Sequence, residues 1–488
     1  MRIEAQTTLQ NVALLLAQRG AQVVSGLFFA VLVPRLMGPD AYGQYTLVTS
    51  LCVWFVFAST LGFTQVIGHY VPLFLLKDDR DRLQAFFQNL LTMRLLSGLV
   101  AAGLYLLLTR LWLQDIDPLV LILVATIVFA RALTDLLFAF FIGLNQAARW
   151  GMRQFVRGWA SLLFVIIGFY WGSLRGAVLG LLLSELIVLL VAIRWSRGHL
   201  SWSCLRWRPR QMTPYLRFGL VFFAGDLLLA AFRRSGEAMI RAVSRDYAQV
   251  GYFGLAFDIY LAAALAIPDL TLAFAPLFSS LLTQGATDKL RQWVERLIKS
   301  IAAGGVVIIF GALLLGDDLV PGVLGAAYRP VAANLLPLAL AIPTIALSSV
   351  ARLLALVYGR PQVALAAAAV RLAVFWGLGP LFVTRWASWG GTLAVLVASI
   401  LYAAYFTWRT QRVHRYSLRS WALALALGGL FLPLVWLRAS WGLNLALYSI
   451  LLCGYGGLLF LARVITPGEM GAIWRVIEGA TAGKGKGL

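Results

Sequence analysis

The chain has 488 residues, of which 61% are hydrophobic and only 12% are charged. Soluble globular proteins carry about twice that charged fraction, so this composition excludes a soluble protein and indicates a multi-pass α-helical membrane protein. The net charge of +21 comes from 36 arginines and five lysines, which lie in short segments between apolar runs rather than in one basic stripe. That distribution argues against nucleic acid as a partner.

Fourteen apolar runs are predicted as transmembrane helices, because each approaches the length of about 20 residues that a bilayer requires. The connectors between them are too short to hold a soluble domain. In chain order the predicted spans are 11–33, 42–64, 86–109, 118–142, 154–172, 176–194, 217–242, 250–275, 297–316, 332–356, 363–383, 389–408, 420–437 and 443–463.

The basic residues orient these spans. With the N-terminus in the cytoplasm, the cytoplasmic segments hold about 26 lysines and arginines and the opposite side holds eight, as the positive-inside rule expects. The predicted topology therefore places both termini in the cytoplasm.

A weak internal repeat divides the chain. "YGQYTLV" opens the second span and "VGYFGLA" opens the eighth, which aligns Gly43 with Gly251. Two six-helix lobes around a central cavity are expected, since repeated lobes are a common transporter design. The predicted parts are an N-terminal lobe, a basic cytoplasmic linker, a C-terminal lobe, two additional helices and a cytoplasmic tail, at 1–195, 196–216, 217–408, 409–463 and 464–488.

Charged residues interrupt several spans. In the first span lies Arg19, and in the fourth Arg131 and Asp135 are one helical turn apart. In the eighth, Asp258 and Asp269 are eleven residues apart and share a face. A charge that faces lipid near the bilayer centre costs at least ~2.5 kcal/mol, so these side chains are expected to face protein or a water-filled cavity.

The seventh span has the most charged residues. Asp226, Arg233 and Glu237 are separated by seven and four residues and share one face of a continuous helix, with Arg234 beside them. Two other interpretations stay open. Arg234 and Arg241 can extend to the lipid headgroups, and the intramembrane charges can form static buried ion pairs.

Two stretches carry a resemblance to a known family. The segment "RLMGPDAYGQYTLVTSLCVWFVFASTLGF" contains the string R-x-x-G-P-x-x-Y-G-x-Y, and "YLRFGLVFFAGDLLLAAFRRSGEAMIRAVSRDYAQVGYFGLA" resembles the entry to the second lobe, with an acidic residue at Glu237. Both resemble polysaccharide-exporting flippases of the multidrug/oligosaccharidyl-lipid/polysaccharide (MOP) exporter superfamily. The string fits at Arg35, Gly38, Pro39, Tyr42, Gly43 and Tyr45.

The resemblance implies a function. Such proteins move undecaprenyl-pyrophosphate-linked oligosaccharides across the cytoplasmic membrane of a bacterium, within membrane lipid and with polysaccharide-assembly proteins as possible partners. Position in the membrane, rather than a matched motif, selects the candidate cavity residues Arg19, Arg131, Arg233, Arg234 and Glu237. No cofactor or metal is expected. A coupling proton or sodium ion would use Asp135, Asp226, Asp258 or Asp269, and the membrane potential is the alternative energy source.

Three other functions compete with this hypothesis. A peptidoglycan-precursor flippase would have a similar sequence, whereas a cation-coupled drug exporter would be expected to have a more acidic cavity. A membrane-embedded polymerase or ligase would be expected to carry catalytic residues on a long outer loop, and the predicted outer loops are short. The chain is therefore predicted not to be an enzyme.

Overall fold

The computed structural model describes residues 2–77, 79–144, 146–197, 208–272, 274–462, 464 and 468, although not the side chains of 2–21 or of some later helical residues. All regular structure in these residues is helical. The helices are α1 (Arg2–Ala58), α2 (Phe63–Leu76), α3 (Arg80–Trp112), α4 (Pro118–Gly143), α5 (Ala147–Ser196), α6 (Pro209–Arg234), α7 (Gly236–Ser244), α8 (Tyr247–Leu272), α9 (Ala275–Thr283), α10 (Thr287–Leu324), α11 (Arg329–Val357), α12 (Pro361–Gln411), α13 (Arg419–Gly429) and α14 (Trp441–Leu461), with short 3₁₀ segments at Ala326–Tyr328 and Leu432–Leu437.

The predicted all-α membrane architecture is confirmed. Among the described residues, ten helices are long and apolar enough to cross a membrane. Three of the ten, α1, α5 and α12, each contain two predicted spans joined at a kink. With these three counted twice and with the 26-residue α8 added, the structure accounts for fourteen spans.

The kinks have identifiable backbone causes. In α1 the chain turns at Gly38, whose φ of 75° is accessible to glycine and unfavourable for other residues, and Pro39 follows. In α5 and α12 the turn residues are Ser173, with φ 50°, and Ala387, with φ 46°. The short connectors predicted between the paired spans are therefore sharp turns within long helices.

The seventh and thirteenth predicted spans are each interrupted. The seventh divides into α6 and α7, with Ser235 between them. Glu237 thus lies in the first turn of a new helix. Asp226, Arg233 and Glu237 therefore do not belong to one continuous helix, and the face predicted for them does not form. The thirteenth consists of α13 followed by the 3₁₀ segment.

Two compact units divide the chain, Met1–Ala238 and Met239–Leu488. The core of the first is rich in aromatic side chains from α2, α3 and α4, including Phe87 and Phe140. In the second unit, α13 and α14 pack on α10, where Asn444 donates a 2.6 Å hydrogen bond to Asp318. The lobe boundaries proposed from the sequence stay a prediction.

The succession of helices in the first unit recurs in the second. The long helices α3, α4 and α5 of the first unit are followed in the second by α10, α11 and α12, in the same order. We align Ala147, the first residue of α5, with Pro361, the first residue of α12. This alignment also pairs the two kink residues, Ser173 and Ala387. The internal repeat is thus a repeat of geometry, and we call this alignment of α5 with α12 the kink register.

Close backbone contact holds the two arms of each kinked helix together. A Cβ atom added at Gly176 would overlap the carbonyl oxygen of Gly168 on the other arm of α5. In α12 a Cβ at Gly390 would overlap the carbonyl oxygen of Phe382, and these two residues match Gly176 and Gly168 in the kink register. Small residues at such contacts allow helix backbones to approach closely within a membrane.

Enlarging this contact should destabilise the fold. Gly176→Val is expected to lower the free energy of unfolding by about 1–3 kcal/mol, because its side chain must displace the backbone of the opposite arm. Gly103→Val in α3 is the matched control, since Gly103 is exposed and a Cβ there meets nothing within 4 Å. Thermal unfolding in detergent measures both. Equal melting temperatures for the two variants would contradict the contact.

Candidate functional site

Five charged side chains converge inside the first unit, between α4 and the two arms of α5. Arg131 and Asp135 lie one turn apart on α4, and Arg153 and Arg157 lie one turn apart on the first arm of α5. Glu185 lies on the second arm, which the kink folds back beside the first. Residues four apart share a helix face, so each pair can present both of its charges to the neighbouring helix.

Glu185 is the centre of this network. Its side chain is fully buried and accepts hydrogen bonds from two arginines on different helices. Arg131 donates to Oε1 through Nε at 2.9 Å and also through Nη2, and Arg157 donates to Oε2 through Nη2 at 3.0 Å. One carboxylate therefore links α4 to both arms of α5.

Asp135 completes the network on a more accessible side. Arg153 Nη1 donates to Asp135 Oδ1 at 2.7 Å, and Arg157 Nη2 lies 3.6 Å from the same oxygen. The Asp135 side chain is 24% exposed and those of Arg153 and Arg157 are 15% exposed. Three guanidinium groups thus meet two carboxylates, so the network carries one net positive charge.

A further arginine lies in the same unit. Arg94 of α3 is 1% exposed and donates to two neutral oxygens, the carbonyl of Ala132 at 2.7 Å and the hydroxyl of Ser59 at 3.0 Å. It belongs to the helix that packs beside α4 and adds a second unit of positive charge. A guanidinium group is not deprotonated in proteins, so Arg94 keeps its charge when buried.

The sequence comparison assigns a family. A family model described as "Polysaccharide biosynthesis protein" matches residues 8–282, more than half of the chain. The chain belongs to this family. A search of curated proteins gave no significant match.

Solved structures show which fold the family member adopts. The chain is similar to a structure of the lipid II flippase MurJ in an inward closed conformation, with a TM-score of 0.66 and 12% identity over 90% of this chain and 100% of that one. It is also similar to an inward-facing multidrug resistance MATE family transporter of the MOP superfamily, with a TM-score of 0.64 and 13% identity over 82% and 98% of the two chains. A third match is a mutant of the Vibrio cholerae MATE transporter VcmN, with a TM-score of 0.57 and 14% identity over 86% and 99%.

Family and fold together confirm the predicted relationship to the MOP superfamily. This member of the polysaccharide biosynthesis protein family is a multi-pass membrane protein with the fold of MOP transporters. The family model names polysaccharide biosynthesis, and the solved structures that share the fold are a lipid II flippase and multidrug transporters.

The residues selected from the sequence fall in different places. Arg131 and Asp135 belong to the network, although each forms its contacts with α5. Arg233 and Arg234 are half-buried at the end of α6, where the Arg234 carbonyl accepts a 3.0 Å hydrogen bond from the Trp54 indole, and Glu237 is buried at the start of α7.

The other candidates lie elsewhere or are not described. Asp258 is half-buried on α8, in the second unit. The side chains of three predicted site residues lie outside the described part of the structure, and their roles stay predictions: Arg19, Asp226 and Asp269.

Three members of the network were not among the candidate site residues chosen from the sequence: Glu185, Arg153 and Arg157. Glu185 is a lone acid in an apolar run, and Arg153 and Arg157 stand where a predicted span begins, so they resembled ordinary flanking charges. A usable signal was present in "RWGMRQFVR", which places arginines at 149, 153 and 157 on one helix face. Three arginines on one face of a membrane helix are expected to pair with a carboxylate, and Glu185 is the acidic residue of the following span.

Removing the central carboxylate should be costly. Glu185→Gln is expected to lower the free energy of unfolding by about 3 kcal/mol, because it removes the anion of Arg131 and leaves Arg157 only its longer 3.6 Å contact with Asp135. Arg175→Gln is the control, since its ion pair with Asp117 is at the surface and Arg175 is 66% exposed; its loss should cost at most about 1 kcal/mol. Thermal unfolding compares the two, and a smaller effect for Glu185→Gln would refute the central role of this carboxylate.

Proposed function

We propose that this chain is a flippase that moves an undecaprenyl-pyrophosphate-linked oligosaccharide, the repeat unit of a surface polysaccharide, across the cytoplasmic membrane of a bacterium. The single observation that carries the proposal is an intramembrane arginine network with an excess of positive charge, in a member of the polysaccharide biosynthesis protein family. The topology that follows from the basic residues puts both termini in the cytoplasm.

The network suits an anionic headgroup. Arginine is planar and donates in a fork that matches phosphate oxygens, and such charge-assisted hydrogen bonds are stronger than neutral ones. Arg153 is the most suitable contact, since its only ion pair in the described structure is with the partly exposed Asp135. A pyrophosphate group can replace Asp135 as its partner while Glu185 continues to hold Arg131 and Arg157.

The same geometry supports alternating access. Because Glu185 links α4 to both arms of α5, these segments would move as one rigid part when the transporter changes conformation. The oligosaccharide would need a hydrated route, whereas the polyprenyl chain can stay in lipid. Asp135 is the network's candidate for a coupling proton or sodium ion, and the membrane potential acting on the positively charged network is the alternative.

Translocation of a fluorescent undecaprenyl-pyrophosphate oligosaccharide in proteoliposomes tests the proposal. Wild type is expected to translocate it, and Arg153→Gln to do so at least about tenfold more slowly, because one charge-assisted contact is worth about 1.5–3 kcal/mol. Arg175→Gln should transport like wild type. Arg153→Gln is expected to fold, since Arg157 still faces Asp135.

An imposed pH or sodium gradient, compared with a potassium diffusion potential, identifies the energy source.

The same proteoliposome assay also measures translocation of the alternative substrates. A lipid-linked peptidoglycan precursor carries the same pyrophosphate, and a cationic dye represents drug export. Wild-type protein that transports only the dye, or only the peptidoglycan precursor, would overturn the proposal. The double variant Arg233→Ala/Arg234→Ala separately tests the end of α6, and full transport by it would assign those arginines to the headgroup region.

A further inference from the structure

The second unit contains a groove of about 680 Å³ between α10, α11, the second arm of α12 and α13. Its walls are almost entirely apolar. Apart from two tryptophans, the described side chains that line it and carry a polar group are Thr344, Thr407 and Gln411. The volume is that of a binding site for a small ligand, and the lining indicates an apolar one.

Contacts of α13 with α10 and α11 explain why the groove exists. Trp421 of α13 donates a 3.2 Å hydrogen bond from Nε1 to the carbonyl oxygen of Pro343 in α11. Farther along α13, a Cβ added at Gly428 would overlap the side chain of Val306 in α10. A glycine at such a contact allows two helices to approach closely. These contacts hold α13 against α10 and α11, and the groove is the space left between α13 and α12.

The groove is open along one side. Leu340, Ile400, Trp408 and Leu432 line it and have exposed side chains. They belong to segments that are long and apolar enough to cross a membrane, so these exposed apolar side chains are expected to contact lipid. Water in such a groove would lack hydrogen-bond partners. A hydrocarbon chain from the bilayer is therefore the expected occupant.

The length of the groove suits one acyl chain of one leaflet. On α12 the lining residues run from Ile400 to Gln411, which is about 16 Å at 1.5 Å per residue. The hydrocarbon core of a bilayer is ~30 Å thick, so an acyl chain of one leaflet extends through about 15 Å. An undecaprenyl chain is much longer than this groove. The dimensions therefore favour a phospholipid.

The loop between α12 and α13 closes one end of the groove. Gln411 Nε2 donates to the carbonyl oxygen of Tyr416 at 3.1 Å, and Leu418, the residue before α13, lines the wall. In the predicted topology this loop is cytoplasmic. A lipid whose chain lies in the groove must therefore place its headgroup to the side of the loop, beside the exposed Trp408.

Two arginines lie beside Trp408. The guanidinium carbon of Arg412, one helical turn later, is 3.9 Å from the centroid of the Trp408 ring, and that of Arg409 is 5.9 Å from it. Arg412 is exposed, so it is accessible to a ligand. Basic sites between membrane helices on the cytoplasmic side bind anionic headgroups. The charge at this end of the groove is thus complementary to a lipid phosphate.

We propose that the groove binds one acyl chain of an anionic phospholipid whose phosphate contacts Arg412 and Arg409. None of the groove residues belongs to the charged network of the first unit, so the proposal does not depend on the identity of the transported lipid. The bound chain fills the space between α12 and α13. Because the lipid binds only where these helices are folded, it is expected to stabilise the protein.

Two variants separate recognition of the chain from recognition of the headgroup. Ala404→Phe places a ring in the groove, and Ala369→Phe, at an exposed alanine on the first arm of α12 that does not line the groove, is its control. Arg412→Gln removes the positive charge nearer to Trp408. Arg385→Gln, at an exposed arginine beside the kink of α12, is the control for net charge.

The test is native mass spectrometry of delipidated full-length protein titrated with dioleoyl phosphatidylglycerol or with dioleoyl phosphatidylcholine, which has the same chains and no net charge. Wild type should bind phosphatidylglycerol at least about fivefold more tightly, and Arg412→Gln should lose most of that preference. Ala404→Phe should weaken the binding of both lipids at least about tenfold, because its ring displaces several methylene groups from the groove. Both controls should match wild type.

Melting temperatures provide a second measurement on the same variants. Without added lipid, Ala404→Phe and Arg412→Gln should melt close to wild type, since both positions are exposed. Added phosphatidylglycerol should raise the melting temperature of wild type and of the two controls, and that of Ala404→Phe much less.

Three results would overturn the proposal. Equal affinity of wild type for the two phospholipids would exclude an anionic site, and unchanged binding by Ala404→Phe would exclude the groove as its location. Undecaprenyl phosphate is the third titrant. If it binds wild type more tightly than phosphatidylglycerol does, and Ala404→Phe abolishes that binding, the groove holds the chain of the transported lipid instead. A dimer that Ala404→Phe dissociates would likewise assign the open side to a second copy of the chain.

Discussion

The buried carboxylate of Glu185 is the interaction on which the arrangement of α4 and α5 depends. A membrane offers no water to solvate a charge, so arginines within it are tolerated only beside compensating groups or in hydrated cavities. Glu185 provides that compensation for Arg131 and Arg157 at once, and these arginines lie on different helices. Its position fixes the distance between α4 and the first arm of α5, and this in turn brings Arg153 to Asp135.

Hydropathy was sufficient to predict the spans but insufficient to predict charge partners. Apolar runs located the ten long apolar helices of the described residues, because the length of such a run follows from the thickness of the bilayer. Arg131 and Asp135 lie one turn apart on the same helix, yet Arg131 bonds to Glu185, 54 positions later in the chain. Such a contact depends on how the kink at Ser173 folds one arm of α5 over the other. Gly172 beside Ser173, and Gly236 after Ser235, mark places where the backbone can turn, but they do not indicate which side chains the turn brings together.

The internal repeat shows the same limit. In the sequence, the repeat is indicated only weakly, by the short segments around Gly43 and Gly251. The signal is weak because many apolar side chains can replace one another where they contact lipid or each other. What the two units retain is geometry: helix starts, kinks and the small residues that permit close approach. Against that common geometry the polar differences become visible: in the kink register Ser399 stands where the first unit has Glu185, and Ser349 stands where it has Asp135.

The sharp turn of α5 also bears on how the chain enters the membrane during synthesis. A turn of only two residues, Gly172 and Ser173, leaves no hydrophilic loop at the far surface, so both arms are best inserted as one helical hairpin. Arg157 and Glu185 lie on opposite arms of this hairpin. Entering separately, each arm would carry a charge into hydrocarbon at a cost of ~2.5–3.5 kcal/mol. Entering together, the two charges can meet before they leave water, and the bilayer receives a neutral pair.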